Sequence, residues 1–257
     1  MRFASLGSGS SGNALIAQEK ATNILLDCGF GVKDTLLRLA RIGLRADQLT
    51  GIIVTHEHDD HASGVFKLAC QFNIPIWLTH GTFKMSARYL PNNATHLIHI
   101  IDSQSSFVIN DLSIQPFTVP HDAREPVQYT VSNGQHKLGV LTDVGMCTPH
   151  IIKCLSGCDG LVLECNHDLD MLEKGPYARS LKQRVGSDLG HLNNQHAAEL
   201  LGRLDNSKLK HIIAAHLSAK NNTPNLAQSA LANTLSCEKS WIGIADQMSG
   251  FDWRELN

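Results

Sequence analysis

The chain has 257 residues, with 24 acidic and 22 basic side chains, a formal net charge of −2 and 42% hydrophobic residues. This composition is close to that of ordinary globular proteins and excludes collagen-like, coiled-coil and intrinsically disordered architectures. The near-neutral charge excludes a globally basic nucleic-acid-binding protein, although it allows a local basic groove. One count is unusual, because the 14 histidines equal the Phe, Trp and Tyr residues together. Histidine is the commonest metal ligand, so the positions of these residues decide the functional interpretation.

No stretch approaches the roughly 20 apolar residues of a membrane span. The opening segment MRFASLGSGSSGNALIA lacks the apolar region of a signal peptide. We therefore predict a cytoplasmic protein without membrane association. A chain of this length can bury most of its apolar surface in one core. Because no Pro- or Ser-rich linker interrupts it, we expect a single domain over residues 1–257.

Short β-branched or aliphatic runs alternate with helix-like segments along the chain. The runs predict strands over residues 2–6, 13–17, 22–26, 51–55, 75–79, 97–101, 106–109, 112–118, 127–132, 137–142, 160–164, 211–215 and 241–245. Apolar periodicity predicts helices over residues 32–42, 62–72, 82–89, 148–155, 194–204 and 224–235. Hairpin-like strands mixed with crossover helices indicate an α/β (α+β) protein whose sheets carry helices on their outer faces.

The most informative segment is HEHDDH, which directly follows the apolar run IIVT. It contains His56, His58, Asp60 and His61 in the pattern H-x-H-x-D-H. An apolar core could not satisfy so many polar groups, so packing does not explain the segment. At a strand end, His56 and His58 can face one metal ion, while Asp60 and His61 face a second after the turn. Imidazole and carboxylate ligands suit Zn, Mn or Fe.

This pattern resembles the metallo-β-lactamase superfamily, and the resemblance extends over nearly the whole chain. The segment LLDCG matches the first superfamily motif and implies that Asp27 fixes the metal loop. In the same way, the resemblance implies that His121 binds the first metal ion, Asp143 bridges both ions and His216 binds the second. It also implies a four-layer αββα sandwich with the site at one edge between two sheets.

The chemistry implied by the resemblance is hydrolysis at two divalent metal ions. Their four positive charges exceed the three negative charges of Asp60, Asp143 and a bridging hydroxide, so the site attracts one anion such as a phosphodiester. The bridging hydroxide would attack phosphorus. Superfamily phosphodiesterases carry an additional histidine before the last ligand, which implies that His191 protonates the leaving oxygen. A helix-capping role is the alternative for His191, and His167 is the alternative proton donor.

Longer phrases narrow the resemblance to the YycJ/WalJ family of single-domain proteins. These phrases are LGSGSSGN, HEHDDHASG, VPHDAREP, LTDVG, ECNHDLDML, GPYARSLKQRVGSDLGHLNN and HLSAKNNTP. The family resemblance implies a 5′-to-3′ DNA exonuclease linked to mismatch repair, with a DNA 5′ end as its substrate. The alternatives are a small-molecule metallohydrolase acting on a cyclic phosphodiester or a thioester, and a regulatory protein with weak catalysis.

A basic segment precedes His191. It contains four cations and one aromatic residue without an acidic residue, namely Lys174, Tyr177, Arg179, Lys182 and Arg184. Such cations can bind phosphates and Tyr177 can stack on a terminal base, which predicts a DNA-binding groove. The alternative is a solvated basic helix face.

Two further polar segments have less specific patterns. The Gly/Ser loop at residues 7–12 is either a tight hairpin turn or a cradle for a phosphate. Ser218 and Asn222, which follow His216, either contact the substrate or cap the helix predicted from residue 224.

Overall fold

A computed structural model describes residues 1–90 and 95–257 of the chain. Its strands are β1 (Arg2–Gly7), β2 (Ala14–Glu19), β3 (Thr22–Leu26), β4 (Gly51–Ile53), β5 (Ile76–Thr79), β6 (Ile98–Ile101), β7 (Phe107–Ile109), β8 (Leu112–Thr118), β9 (Val127–Ser132), β10 (Lys137–Leu141), β11 (Gly160–Glu164), β12 (His211–Ala215), β13 (Ile242–Ile244) and β14 (Phe251–Glu255).

The α-helices are α1 (Val32–Arg41), α2 (Asp59–Ala62), α3 (Val65–Phe72), α4 (His80–Ser86), α5 (Pro149–Leu155), α6 (Leu169–Lys174), α7 (Arg179–Val185), α8 (Asn194–Arg203) and α9 (Pro224–Leu235). Short 3₁₀ helices cover Ala46–Gln48, Ala87–Tyr89, Thr95–Leu97 and Lys239–Trp241. Within the described ranges, none of the helices has both the length and the apolar character needed to cross a membrane.

The strands form two seven-stranded mixed sheets. The first sheet has the order β14-β1-β2-β3-β4-β5-β6, and the second has the order β13-β12-β11-β10-β9-β8-β7. Strands β3, β4, β5 and β6 run parallel in the first sheet, as do β10, β11, β12 and β13 in the second. Parallel strands end at the same edge of a sheet, so the segments that follow β10, β11 and β12 emerge side by side.

Alternating side chains along the strands create three apolar layers. On β1, Phe3 points into the cluster between the sheets, whereas Ala4 and Leu6 pack with α1 and α3 on the outer face of the first sheet. A third cluster joins the second sheet to α5, α8 and α9. Three apolar layers require four layers of secondary structure, which confirms the predicted αββα fold.

The structure also corrects the predicted elements. Each predicted strand and helix has a counterpart, but β14, α6 and α7 were not predicted. The helix predicted over residues 62–72 is interrupted at Gly64, where α2 gives way to α3. A side chain at Gly64 would lie 1.9 Å from the carbonyl oxygen of Phe30, and the Gly64 N–H donates to the Cys28 carbonyl. This contact fixes the metal loop against the segment after β3.

Candidate metal centre

The first sheet supplies four of the predicted ligands from residues 56–61, a loop that follows β4 and runs into the short helix α2. Asp27, which follows the neighbouring strand β3, lies behind this loop and is buried. Its Oδ1 accepts the Thr55 N–H at 2.8 Å, and its Oδ2 accepts the Thr55 hydroxyl at 2.7 Å. The same Oδ2 lies 2.8 Å from Nδ1 of His61. Asp27 therefore orients His61 so that its Nε2 faces the other predicted ligands.

The second sheet supplies three predicted ligands from three separate strand ends. His121 follows β8, Asp143 follows β10 and His216 follows β12. Asp143 and His216 have left-handed backbone conformations, with φ angles of 52° and 54°. These turns direct both side chains away from their strands and toward the loop of the first sheet.

The structure brings all seven predicted ligands together. His56, His58 and His121 form one group, and a second group consists of Asp60, His61, Asp143 and His216, with the ligand atoms of each group within 4.8 Å of one another. Nε2 of His56 is buried and has no hydrogen-bond partner among the residues that the structure describes. Buried, convergent and unpartnered acceptors are costly in a protein interior unless a cation joins them. The donor set therefore fits divalent metal ions.

Burial and charge divide the histidines into two classes. Burial lowers the pKa of His56 far below its usual value and also lowers that of His121, which favours the neutral imidazole that binds metals. Burial also opposes protonation of His216, but Asp143 and hydrogen bonds to Asp60 and Glu164 raise the pKa of His216 to about 10. A metal ion at this second group would have to displace a proton.

Sequence reasoning missed Glu164, a completely buried residue at the end of β11. Its carboxylate accepts hydrogen bonds of 2.9–3.1 Å from Nδ1 of His191, Nδ1 of His216 and the backbone N–H groups of Asp143, Val144 and Leu192. Burial raises the pKa of Glu164, but the neighbouring histidines outweigh it and lower the pKa to about 2. The available signal was an acidic residue at the end of the apolar run GLVL, between the strands that lead to Asp143 and His216.

Comparison with known proteins agrees with this geometry. The model of the beta-lactamase superfamily domain matches residues 22–216. Exodeoxyribonuclease YycJ of Bacillus anthracis is 32% identical over 252 residues, which cover 98% of this chain and 96% of the relative. Exodeoxyribonuclease WalJ of Streptococcus pneumoniae is 33% identical over 95% of this chain and 91% of the relative. The chain belongs to the YycJ/WalJ family of the metallo-β-lactamase superfamily.

Solved structures support the fold of this YycJ/WalJ family member. The metallo-beta-lactamase fold protein YhfI of Bacillus subtilis superposes with a TM-score of 0.77 at 17% identity, covering 99% of both chains. The short form of human tRNase Z superposes with a TM-score of 0.69 at 18% identity and covers 100% of both chains. The family together with the His/Asp cluster indicates a protein that binds divalent metal ions.

His191 and His167, the alternative proton donors in this family member, occupy different environments. His191 lines the cavity above the ligand groups, and its Nδ1 lies 2.9 Å from Oε1 of Glu164. His167 is completely buried, does not line that cavity, and has its pKa lowered to about 4 by burial. The capping alternative for His191 also fails, because Asn193 caps α8 by accepting the His196 N–H. Of these two histidines, His191 therefore lies where a bound substrate could reach it, and His167 does not.

The cavity has a volume of about 370 Å³, and only part of the predicted basic groove lines it. Arg184 lines it, whereas Lys174, Tyr177, Arg179 and Lys182 do not. Lys174 pairs with Asp170 at 3.2 Å, Lys182 donates to the Glu173 carbonyl, and Lys220 lies over the Tyr177 ring. The basic segment thus runs from the end of α6 through residues 175–178 into α7, and at the cavity α7 presents Leu181, Arg184 and Val185.

Ser218 and Asn222 support the loop after His216 and do not line the cavity. Both are buried. Ser218 Oγ accepts the Asn221 N–H, and Asn222 Nδ2 donates to the Cys165 carbonyl at 2.7 Å. Helix α9 is capped by Thr223, whose side chain accepts the Leu226 N–H. The structure therefore does not support the predicted substrate contacts of Ser218 and Asn222, nor their alternative role as the cap.

The Gly/Ser loop forms the turn between β1 and β2 and links the two sheets. Ser8 Oγ accepts the His216 N–H at 2.9 Å and donates to Asn13 Oδ1 at 3.0 Å. Asn13 Nδ2 donates to Asp60 Oδ2 at 3.2 Å, and the Asn13 N–H donates to the Asp60 carbonyl at 2.7 Å. This chain of contacts connects a ligand of the second sheet to a ligand of the first.

Proposed function

We propose that this protein is a dinuclear-metal phosphodiesterase that degrades DNA from its 5′ end. The observation that carries the proposal is the meeting of the two ligand groups at Asp143. Its Oδ2 lies 3.0 Å from Nε2 of His61 in one group, and its Oδ1 lies 3.9 Å from Nε2 of His121 in the other. A shared carboxylate between two sets of imidazoles suits a pair of adjacent metal ions.

Each ligand group would hold one ion. His56, His58 and His121 would hold the first ion, Asp60, His61 and His216 the second, and Asp143 would contact both. When bound, two such ions, of Zn, Mn or Fe, supply an activated water and clamp the oxygens of a phosphodiester in an in-line displacement. Asp27 and Glu164 fix the ring orientation of His61 and His216 from behind, as carboxylates commonly do for metal-binding histidines.

His191 provides the proton for the leaving oxygen. Glu164 holds its Nδ1, which leaves Nε2 of the same ring for a substrate in the cavity. In the reaction, the attacking water loses a proton to solvent and its oxygen forms a bond to phosphorus, while the bond from phosphorus to the sugar oxygen breaks. His191 gives its proton to that sugar oxygen and is reprotonated from solvent. Protonation matters most for a sugar alkoxide, which is a poor leaving group.

The DNA substrate is supported by the relatives and by the cavity. The family members from Bacillus anthracis and Streptococcus pneumoniae are named exodeoxyribonucleases and match nearly the full chain. The cavity of about 370 Å³ is of a size suited to one nucleotide rather than to a long duplex segment. Removal of single nucleotides from a chain end is consistent with such a cavity, and the names of the relatives carry that part of the proposal. A link to mismatch repair and a cytoplasmic location stay predictions.

A substrate panel tests this function. Protein reconstituted with Mn or Zn is offered 5′-labelled single-stranded and duplex DNA, RNA, a chromogenic phosphodiester and a thioester. We expect metal-dependent release of 5′ mononucleotides from DNA, lost in Asp60→Ala and retained in Asp47→Ala, a matched change at an exposed aspartate paired with Arg45. Hydrolysis of the thioester alone, or of the small diester without DNA, would contradict the proposal.

A further inference from the structure

Arg88 lines the cavity although it lies far from the metal loop in sequence. It belongs to the 3₁₀ helix Ala87–Tyr89, which follows α4. Its Nη2 donates to Asp59 Oδ1 at 2.7 Å and to the Tyr89 hydroxyl at 2.9 Å, and the Tyr89 hydroxyl also contacts Asp59. Asp59 stands between His58 and Asp60. A guanidinium group is therefore fastened to the metal loop at the cavity wall.

Arg184 on α7 has a matching arrangement. Its Nε donates to Asp122 Oδ2 at 2.6 Å. Asp122 directly follows His121, and its Oδ1 lies 3.8 Å from Nε2 of His58. In both pairs, the carboxylate that holds the arginine is the chain neighbour of a candidate metal ligand.

The Arg88–Asp59 and Arg184–Asp122 ion pairs contribute too little to folding stability to explain their presence. The side chain of Arg88 is 57% exposed and that of Arg184 is 63% exposed, and exposed ion pairs contribute only about 0–1 kcal/mol. A guanidinium group has five N–H donors, and the contacts described occupy only some of them. The remaining donors of both arginines are available to a ligand in the cavity.

The side chains that line the cavity suit the sugar-phosphate backbone of a nucleic acid. Arg88 and Arg184 are the only arginine or lysine residues among the described residues that line the cavity. A planar guanidinium binds phosphate oxygens through paired hydrogen bonds. Beside Arg184, the apolar side chains of Leu181 and Val185 offer a surface for a sugar or base.

We propose that Arg88 and Arg184 bind the phosphate groups next to the phosphodiester that is cut. They thereby select a nucleic-acid chain over an isolated diester. Asp59 and Asp122 set the positions of the two guanidinium groups relative to the metal ligands. This inference rests on the proposed function, because it concerns the recognition of the same substrate.

The test compares Arg88→Gln and Arg184→Gln with Arg45→Gln, which removes a similar exposed arginine–aspartate pair away from the cavity. Each protein is assayed on a 5′-phosphorylated oligonucleotide, a 5′-hydroxyl oligonucleotide and bis(p-nitrophenyl) phosphate. We expect Arg88→Gln and Arg184→Gln each to lower kcat/KM on the phosphorylated oligonucleotide by about 10-fold or more. The rate on the small diester should stay within about twofold of wild type, because that substrate has no neighbouring phosphate. Arg45→Gln should change neither.

Comparison of the 5′-phosphorylated with the 5′-hydroxyl oligonucleotide shows which phosphate each arginine binds. A loss confined to the 5′-phosphorylated oligonucleotide assigns that arginine to the terminal phosphate, and an equal loss on both assigns it to an internal phosphate. Unfolding temperatures equal to wild type show that the variants are folded.

Two results would overturn the inference. Equal losses on the small diester would mean that the arginines only support the metal loop. Unchanged kcat/KM on both oligonucleotides would mean that they do not contact the substrate. In either case a wild-type protein that degrades DNA leaves the proposed function intact. A wild-type protein inactive on DNA overturns the proposed function and the arginine assignment together.

Discussion

The two sheets contribute to the candidate metal centre in different ways. The first sheet supplies His56, His58, Asp60 and His61 from one contiguous segment after β4, whereas the second supplies His121, Asp143 and His216 from the ends of three strands. A contiguous loop is visible as a motif. Ligands from separate strands become a site only through the order of the second sheet, in which β8, β10 and β12 run in the same direction because β9 is antiparallel to both β8 and β10.

Both sheets nevertheless support their ligands with a buried carboxylate at a strand end. Asp27 after β3 contacts Nδ1 of His61, and Glu164 at the end of β11 contacts Nδ1 of His216. Glu164 accepts more hydrogen bonds than the one from the metal-binding histidine, since it also contacts His191 and three backbone N–H groups. The first sheet therefore positions candidate metal ligands alone, and the second positions candidate metal ligands together with the proposed proton donor, His191.

The largest effect is expected from Asp143→Asn, which removes the carboxylate shared by the ligand groups of both sheets. Loss of metal-ion catalysis worth several kcal/mol corresponds to a fall in phosphodiesterase rate of about 1,000-fold or more. The measurement is the steady-state rate on a chromogenic diester together with the metal content of the purified protein. Asp47→Asn is the matched control. A rate near that of wild type would remove Asp143 from the centre.

Replacement of His191 by alanine tests whether the second sheet supplies the proton donor. We expect a fall of about 100-fold or more on an oligonucleotide and a much smaller fall on a p-nitrophenyl diester, whose leaving group needs no protonation. His167→Ala is the control, because His167 is buried away from the cavity. If the rate on the oligonucleotide, relative to the rate on the p-nitrophenyl diester, fell further in His167→Ala than in His191→Ala, His167 would be the proton donor.

Conservative changes in the two supporting carboxylates separate the roles of the sheets. Asp27→Asn and Glu164→Gln should each reduce activity by about 10- to 100-fold, as is typical when the partner of a metal-binding histidine is lost. Only Glu164→Gln should reduce the rate more on the oligonucleotide than on the p-nitrophenyl diester, because only Glu164 holds His191. If Asp27→Asn and Glu164→Gln changed the ratio of the oligonucleotide rate to the p-nitrophenyl diester rate equally, these separate roles of the two sheets would be wrong.

A contact between the sheets should affect stability rather than the catalytic rate. The hydroxyl of the buried Tyr129 on β9 donates to the Val54 carbonyl at 2.8 Å, just before the metal loop. Tyr129→Phe leaves that buried carbonyl unpaired and should lower the free energy of unfolding by about 1–3 kcal/mol. Urea denaturation measures the change, with Tyr177→Phe outside the sheets as control. An unchanged midpoint in Tyr129→Phe would show that this contact does not stabilise the protein.

The sequence predicts the contiguous part of this site better than the dispersed part. The loop from His56 to His61 is recognisable from spacing alone, and His121, Asp143 and His216 are recognisable only through the order of family motifs. Glu164 has no distinctive pattern, because an acidic residue at a strand end gains meaning only when its neighbours in the sheet are known. The αββα fold was likewise implied by resemblance, and the strand pattern was only compatible with it.

Side-chain direction accounts for most of the remaining differences. The basic composition of residues 174–184 gave no indication that, of its cations, only Arg184 would line the cavity. Arg88 was missed because its contact with Asp59 joins two segments that are remote in sequence. Substrate contact was one of two alternatives for Ser218 and Asn222, because polarity alone does not distinguish an exposed hydrogen-bonding group from a buried one.

The central claim is that both sheets jointly bind a pair of metal ions through Asp143. Anomalous diffraction from crystals of the metal-loaded protein tests it most directly. The account predicts two ions in each chain, one bound by His56, His58 and His121, the other by Asp60, His61 and His216, with Asp143 in contact with both. A single ion, or a pair of ions without Asp143 between them, would contradict it.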